Sequence, residues 1–90
     1  SKSKALAHYI MAVAHDLQGE GAEAVREYQR AAAFAPTEPL PHLRLATYDI
    51  RNGLLDRAVA HLKTVLTLSP QNSQAHYLLA LVCFSFIPKI

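Results

Sequence analysis

Cysteine and glycine are scarce in this sequence of 90 residues, which contains one cysteine and three glycines. A single cysteine excludes an internal disulfide framework and does not indicate a compartment. The stretch GEGAEAVREY at 19–28 holds two of the glycines, but it lacks the third glycine and the Gly-Lys-Ser/Thr ending of a phosphate-binding loop. We therefore interpret this stretch as a turn between helices.

Long hydrophobic runs and clusters of one charge are also missing. The longest apolar run, YLLALVCFSFI at 77–87, is too short to span a bilayer and favours a buried helix. The formal charge is +2, and the Lys and Arg residues are spread along the chain. This distribution argues against nucleic-acid binding, because such domains concentrate cations on one face. With 51% hydrophobic residues, the chain is expected to fold as one small domain.

What the chain does contain is an internal repeat of 34 residues. The segment AFAPTEPLPHLRLA at 33–46 matches TLSPQNSQAHYLLA at 67–80. Aligning the two complete copies gives seven identical pairs: Leu6/Leu40, His8/His42, Ala12/Ala46, Gly19/Gly53, Ala24/Ala58, Val25/Val59 and Pro36/Pro70. A fixed period of this length is typical of stacked-repeat architectures.

Each repeat predicts a pair of helices, because its apolar residues recur at helical spacing. Gly19 and Gly53 stand where a helix end favours a residue that can adopt a positive φ. Pro36 and Pro70 close the second helix of each pair. The third copy supplies only a first helix, about 73–86, so the sequence predicts five helices. We divide the chain into a disordered or tag-derived tail (1–4), two complete repeats (5–38 and 39–72) and a partial third repeat (73–90).

The repeat resembles the tetratricopeptide repeat family over residues 5 to about 85. The period agrees, and small residues occupy the places where helices approach closely: Ala12, Ala46 and Ala80 at the eighth place, Ala24 and Ala58 at the twentieth, and Ala31 at the twenty-seventh. The resemblance implies an all-α fold, an α-solenoid of antiparallel helix hairpins wound as a right-handed superhelix. The sequence departs from the family at the fourth place, which is histidine in all three copies.

One set of repeated residues looks catalytic. His15, Asp49 and Cys83 include the types that a Cys–His nucleophile requires, but such a pair needs hydrogen-bond contact. These residues hold the same place in successive units, whose helix axes are separated by about 8–10 Å per step. We therefore predict that they take part in packing between helices, and that the chain is not an enzyme.

A second set looks like a metal ladder. His8, His42 and His76 recur once per unit, whereas metal ligands must nearly touch. The same helix separation keeps them apart, and the sequence has no HxxxH or CxxC pair. We predict that each histidine fills the space of a large side chain, and that the chain binds no metal or cofactor.

The resemblance implies that the first helices of successive units line a concave groove. The residues expected to face or border it are Leu6, Tyr9, Val13, Leu40, Leu43, Arg44, Thr47, Arg51, Gln74, Tyr77 and Leu81. Some family members grip a terminal carboxylate with a lysine/asparagine clamp, but the matching places here hold Tyr9, Val13, Arg44, Gln74 and Leu78. The groove is instead apolar with an arginine edge, which suits an amphipathic helix or an apolar peptide of another protein.

Two other functions stay open at this point. A related helical-hairpin repeat reads RNA, although it usually has a period of 35 residues and needs a stripe of cations. The chain is also compatible with being an interaction segment of a multidomain enzyme. A non-catalytic protein-interaction scaffold, bound to neither nucleic acid nor membrane, is the function that we favour.

The last helix is apolar nearly all round, and a helix of that kind is normally buried on every side. We therefore predict self-association as a two-fold homodimer. The residues expected to form that surface are Tyr77, Leu78, Leu81, Val82, Phe84 and Phe86. The competing interpretation is that a following segment of a longer protein covers this helix.

Overall fold

The computed structural model describes residues 2–85, which form five α-helices and no strand. The helices are α1 (Lys2–Leu17), α2 (Gly21–Phe34), α3 (Pro39–Arg51), α4 (Leu55–Leu68) and α5 (Ser73–Ser85). The most extensive contacts join α1 to α2 and α3 to α4, and smaller contacts join α2 to α3 and α4 to α5. The prediction of an all-α chain with two helix pairs and a fifth helix is confirmed.

The turn that follows the first helix is the same in both complete repeats. Gly19 has a φ of +76° and Gly53 has a φ of +74°, a left-handed conformation that only glycine adopts at no cost. The amides of Gly19 and Glu20 donate to the carbonyls of Asp16 (3.1 Å) and His15 (2.9 Å). The second repeat has the same two bonds one period later. This pair of bonds closes a helix end in the Schellman arrangement, so both glycines end helices as predicted.

The other helix boundaries follow from local chemistry. Pro39 and Pro41 lie in the first turn of α3, where the amide hydrogens lack partners within the helix. At the start of α5, the Asn72 side chain accepts a hydrogen bond from the amide of Ala75 at 2.8 Å. Residues 2–4, which we assigned from sequence to a disordered or tag-derived tail, are helical, because α1 begins at Lys2.

Buried alanines lie where the helices of a pair meet. The four that the repeat predicted as contact points in the complete units are fully buried: Ala12, Ala24, Ala46 and Ala58. A side chain of one carbon lets two helix axes approach closely, and the larger Tyr28 and Leu62 fill the space beside these contacts. The predicted positions of close contact in both complete repeats are therefore confirmed.

Two groups of buried residues form the core. The first consists of Ala12, Ala24, Tyr28 and Leu45, and the second of Leu43, Ala46, Ala58, Leu62, Val65, Ala75 and Val82. Helix α3 is the one helix in residues 2–85 that contributes to both groups, because Leu45 faces α1 and α2 while Leu43 and Ala46 face α4 and α5.

The alanine of the third copy differs from its equivalents. Ala80 is exposed, although the same place in α1 and α3 is fully buried. No helix within residues 2–85 lies over this side of α5, so the predicted contact at Ala80 is absent from the described part of the chain. Across the same residues, no helix has both the length and the apolar content needed to cross a bilayer.

Candidate partner-binding groove

An open, largely apolar cavity of about 330 Å³ lies where α1, α2 and α3 meet. We call it the α1–α3 pocket. Its lining consists of Lys2, Ala5, Leu6 and Tyr9 from α1, Ala31 from α2, Ala35 and Glu38 from the following turn, and Leu40 and Pro41 from α3.

The pocket exists because its floor is made of small residues. Ala31 and Ala35 are buried and one helical turn apart, so they leave space between the larger side chains of α1 and α3. Leu6 and Leu40, which hold the second place of the first and second repeats, are exposed beside that space. Apolar side chains left open to water around a concave surface favour the binding of an apolar group.

Arg44 stands beside the same pocket. Its Nε donates a hydrogen bond to the hydroxyl oxygen of Tyr9 at 3.4 Å, which links α3 to α1. This hydrogen bond is the main cause that raises the pKa of Arg44 above its usual value. Arg44 is exposed, and its cation is therefore accessible from solvent at the edge of an apolar cavity.

Four of the residues assigned to the groove from sequence are thus brought together: Leu6, Tyr9 and Leu40 line the pocket, and Arg44 contacts Tyr9. Six further residues line it but were missed: Lys2, Ala5, Ala31, Ala35, Glu38 and Pro41. Lys2 had been assigned to a tail, and Glu38 and Pro41 follow helix α2 in a segment interpreted only as a turn and a helix start. The signal that could have found these three is their position at the N-terminal ends of neighbouring first helices.

The other groove residues assigned on α1 and α3 do not line the α1–α3 pocket. Val13 and Thr47 are half-buried, and the Thr47 hydroxyl donates to the carbonyl of Leu43 at 3.1 Å within α3. The Arg51 guanidinium lies 5.4 Å from the centre of the Tyr48 ring, beside a separate depression between α2 and α3.

The assignment of Leu43 was wrong. Leu43 is only 3% exposed and belongs to the core shared by α3, α4 and α5, so it is not available to a partner. The fifth place of the first repeat, Tyr9, is half-buried and lines the pocket. The same place in the repeat therefore has different surroundings in the two units.

Helix α5 lies apart from the pocket. Gln74, Tyr77 and Leu81 are exposed on it, and none of them lines the α1–α3 pocket. Among the residues assigned to self-association, Phe84 is exposed and Leu78 is half-buried. Val82 is only 1% exposed within the chain, so its assignment to that surface was wrong. Phe86 lies outside the described residues.

A tyrosine and carboxylate network joins the three helices that form the pocket. The hydroxyls of Tyr28 and Tyr48 both donate to the carboxylate of Asp16, so one side chain joins α1, α2 and α3. Burial and the nearby Asp16 carboxylate raise the pKa of Tyr28 to about 12 and that of Tyr48 to about 12. Both phenols therefore stay protonated and able to donate at neutral pH.

The repeated histidines each make local contacts. His8 Nδ1 lies 2.6 Å from a carboxylate oxygen of Glu27, and the His8 ring stacks on Phe34 at a centroid distance of 5.4 Å. His42 Nε2 lies 3.3 Å from the carbonyl oxygen of Pro36, and His76 Nε2 lies 2.8 Å from that of Pro70. Within residues 2–85, no group of three His, Cys, Asp or Glu side chains could hold a metal ion.

Two residues of the apparent catalytic set, His15 and Asp49, have separate partners. His15 Nδ1 lies 2.9 Å from the Glu20 carboxylate. Asp49 is buried near Arg57 and His61, at 3.9 Å and 3.6 Å. Cys83 is exposed on α5.

A comparison with protein families matches residues 17–82 to a model described as tetratricopeptide repeat. The match covers the end of α1, all of α2, α3 and α4, and most of α5. Among curated proteins, none matches the chain.

Proposed function

Because the chain belongs to the tetratricopeptide repeat family, whose members typically mediate contacts between proteins, we propose that it is a non-catalytic interaction module. In this proposal the α1–α3 pocket receives an apolar side chain from a peptide or an amphipathic helix of another protein. A second copy of this chain is also a proposed partner, bound at α5 instead of in the pocket.

The observation that carries this function is the open apolar cavity of about 330 Å³, bordered by exposed leucines on two helices. A cavity of that size accommodates a single large side chain. Arg44 adds a cation beside Tyr9, and Lys2 adds another in the lining, against the single carboxylate of Glu38. The preferred ligand is therefore an apolar residue with an Asp or Glu close to it in sequence.

Selection from a random peptide library on the immobilised chain tests this function. We expect the enriched peptides to combine a large apolar residue with a neighbouring carboxylate. In fluorescence polarisation, Leu40→Glu is expected to weaken their binding by at least about tenfold, which corresponds to about 1.4 kcal/mol. Arg44→Gln is expected to reduce the affinity most for the peptides that carry a carboxylate.

The matched control is Leu17→Glu, which introduces the same change at an exposed leucine of α1 outside the pocket. We expect this variant to bind the selected peptides as the parent does. Peptides that bind the Leu40→Glu and parent chains equally well would show that the pocket is not the binding site.

A further inference from the structure

The two complete repeats hold different side chains at one contact between their paired helices. In the first repeat the contact joins His8 of α1 to Glu27 of α2, and His8 Nδ1 lies 2.6 Å from a carboxylate oxygen of Glu27. One period later the same two places hold His42 of α3 and His61 of α4, whose ring centroids are 5.8 Å apart. A histidine therefore replaces the carboxylate of the first repeat in the second repeat.

The contact in the second repeat is short of negative charge. The carboxylate of Asp49 lies close to it, with Oδ2 3.6 Å from Nε2 of His61. Its other oxygen lies 3.9 Å from Nε of Arg57, so this carboxylate is already shared with a permanent cation. Among the described residues, Asp49 Oδ2 and His42 Nδ1 are buried atoms without a hydrogen-bond partner. When both histidines are protonated, three cations face one carboxylate.

The charged surroundings of His61 come from α3 and α4. Burial is the main cause that lowers the pKa of His61, while the charge of Asp49 opposes this effect and those of His42 and Arg57 reinforce it. Helix α5 also packs on α4, but it carries no Asp, Glu, Lys or Arg. Its histidine, His76, lies 2.8 Å from a backbone carbonyl of the preceding turn. Within the described part of the chain, Asp49 is therefore the carboxylate available to balance a protonated His61.

We propose that the contact between α3 and α4 is an acid-sensitive switch, in which protonation of His42 and His61 places two cations against each other and loosens this helix pair. The first pair lacks this response, because one oxygen of Glu27 contacts His8 and the other lies 2.7 Å from Arg30. The hydrogen bond with His8 is the main cause that lowers the pKa of Glu27 below 4.5. The carboxylate therefore stays ionised over the range in which histidines titrate, and acidification acts on one helix pair while it spares the other.

Helix α3 also forms one wall of the α1–α3 pocket, through Leu40 and Pro41. Release of α3 from α4 removes part of the support of that wall. If the proposed function of the pocket holds, we expect the affinity for a selected peptide to fall on acidification, and to fall less in His61→Asn. The response of the helix pair itself does not depend on that function, and its tests need no peptide.

NMR titration of the histidine rings tests the repulsion between the two imidazoles. His42→Asn removes one of the two charges, so we expect the titration midpoint of His61 to rise by at least about 0.3 pH unit, a roughly twofold gain in proton affinity. His76→Asn is the control, because His76 is exposed on α5, and it is expected to leave that midpoint unchanged. A midpoint of His61 that stays the same or falls in His42→Asn would overturn the proposal.

Amide hydrogen exchange, corrected for the intrinsic pH dependence of the exchange rates, locates the response. Between about pH 7 and about pH 5, we expect the protection of α4 amides to fall at least about tenfold more than that of α2 amides. In His61→Asn this difference between the helices is expected to shrink. Equal losses of protection in α2 and α4 of the parent would contradict a switch confined to the second pair.

Transfer of the histidine pair to the first repeat tests the switch by gain of function. Glu27→His places a second imidazole beside His8, whereas the matched control Glu27→Gln removes the same carboxylate without adding a group that titrates. Between about pH 7 and about pH 5, we expect the folding equilibrium constant from urea unfolding to fall at least about tenfold more in Glu27→His than in Glu27→Gln. Equal losses in the two variants would show that a histidine pair at these places does not confer acid sensitivity.

Discussion

The hydroxyl of Tyr48 in α3 donates a hydrogen bond to the carboxylate of Asp16 in α1, across the boundary between the two complete repeats. Tyr28 of α2 donates to the other oxygen of the same carboxylate at 3.3 Å. These three helices are also the ones that line the α1–α3 pocket. The network therefore ties together the three helices that form the proposed binding site.

Removal of the Tyr48 hydroxyl is expected to destabilise the chain. Tyr48→Phe leaves one Asp16 oxygen without its donor, and we expect the free energy of unfolding in urea to fall by about 1–3 kcal/mol. Tyr77→Phe is the control, because Tyr77 is exposed on α5, and it is expected to match the parent. Equal unfolding midpoints for the two variants would show that the bond to Asp16 contributes little.

Acidification is expected to destabilise the second repeat through His61. Burial is the main cause that lowers the pKa of His61 below its ordinary 6.5, while the nearby Asp49 opposes this effect. The His61 imidazole therefore binds a proton more readily in the unfolded chain than in the folded chain. As a result, the free energy of unfolding falls as the pH drops from about 6.5 through the lowered pKa. Urea unfolding over this range is expected to show a smaller loss for His61→Asn than for the parent. His76→Asn, at an exposed position of α5, should keep the full loss.

Glu27 is expected to contribute stability that disappears at lower pH. Its hydrogen bond with His8 is the main cause that lowers its pKa below 4.5, and Arg30 Nη1 adds a contact at 2.7 Å. A depressed carboxyl pKa gives stability that is present above pH 4.5 and is lost as the pH falls through the folded-state pKa. At neutral pH, Glu27→Gln is expected to lower the free energy of unfolding by about 1–3 kcal/mol.

A second glutamate provides the control for this experiment. Glu23 pairs with Arg26 at the same spacing, but the contact is 3.8 Å long and both groups are more exposed. Glu23→Gln is therefore expected to change the free energy of unfolding by less than about 1 kcal/mol. If the two variants lose the same stability, the contact between His8 and Glu27 adds nothing beyond a surface ion pair.

The eighth place of the repeat allows one substitution to be compared at a buried alanine and at an exposed alanine. Ala46→Leu forces a larger side chain into a fully buried contact, and we expect a loss of about 1–3 kcal/mol in the free energy of unfolding. Ala80→Leu makes the same change at an exposed position one period later, and it is expected to leave the unfolding of the monomer nearly unchanged. Thermal melts of both variants at low concentration distinguish these outcomes.

The helix ends and the alanine contacts could be predicted because they depend on local geometry. A positive φ at Gly19 and Gly53 follows from the need to end a helix, and it repeats with the sequence. The small side chains at Ala12 and Ala46 likewise report how closely two helices approach. These features require only the period and the residue type.

The pocket and the polar network could not be predicted in the same way. The repeat pattern assigns both Leu40 and Leu43 to the groove. The rotation of α3 about its own axis decides which of them is accessible: Leu40 is exposed, and Leu43 lies in the core. The bond between Tyr48 and Asp16 joins residues 32 positions apart with different places in their repeats. No comparison of equivalent positions would have paired them.

The shared position of α3 between the two buried groups has a consequence for how the chain opens. In a linear array each unit is stabilised mainly by its neighbours, so fluctuations begin at the ends. Leu45 ties α3 to one group, while Leu43 and Ala46 tie it to the other. We therefore expect the amide hydrogens of α3 to exchange with solvent most slowly, and those of the terminal helix α1 to exchange faster. The wall formed by α1 would then act as a movable side of the pocket, with α3 as its stationary side.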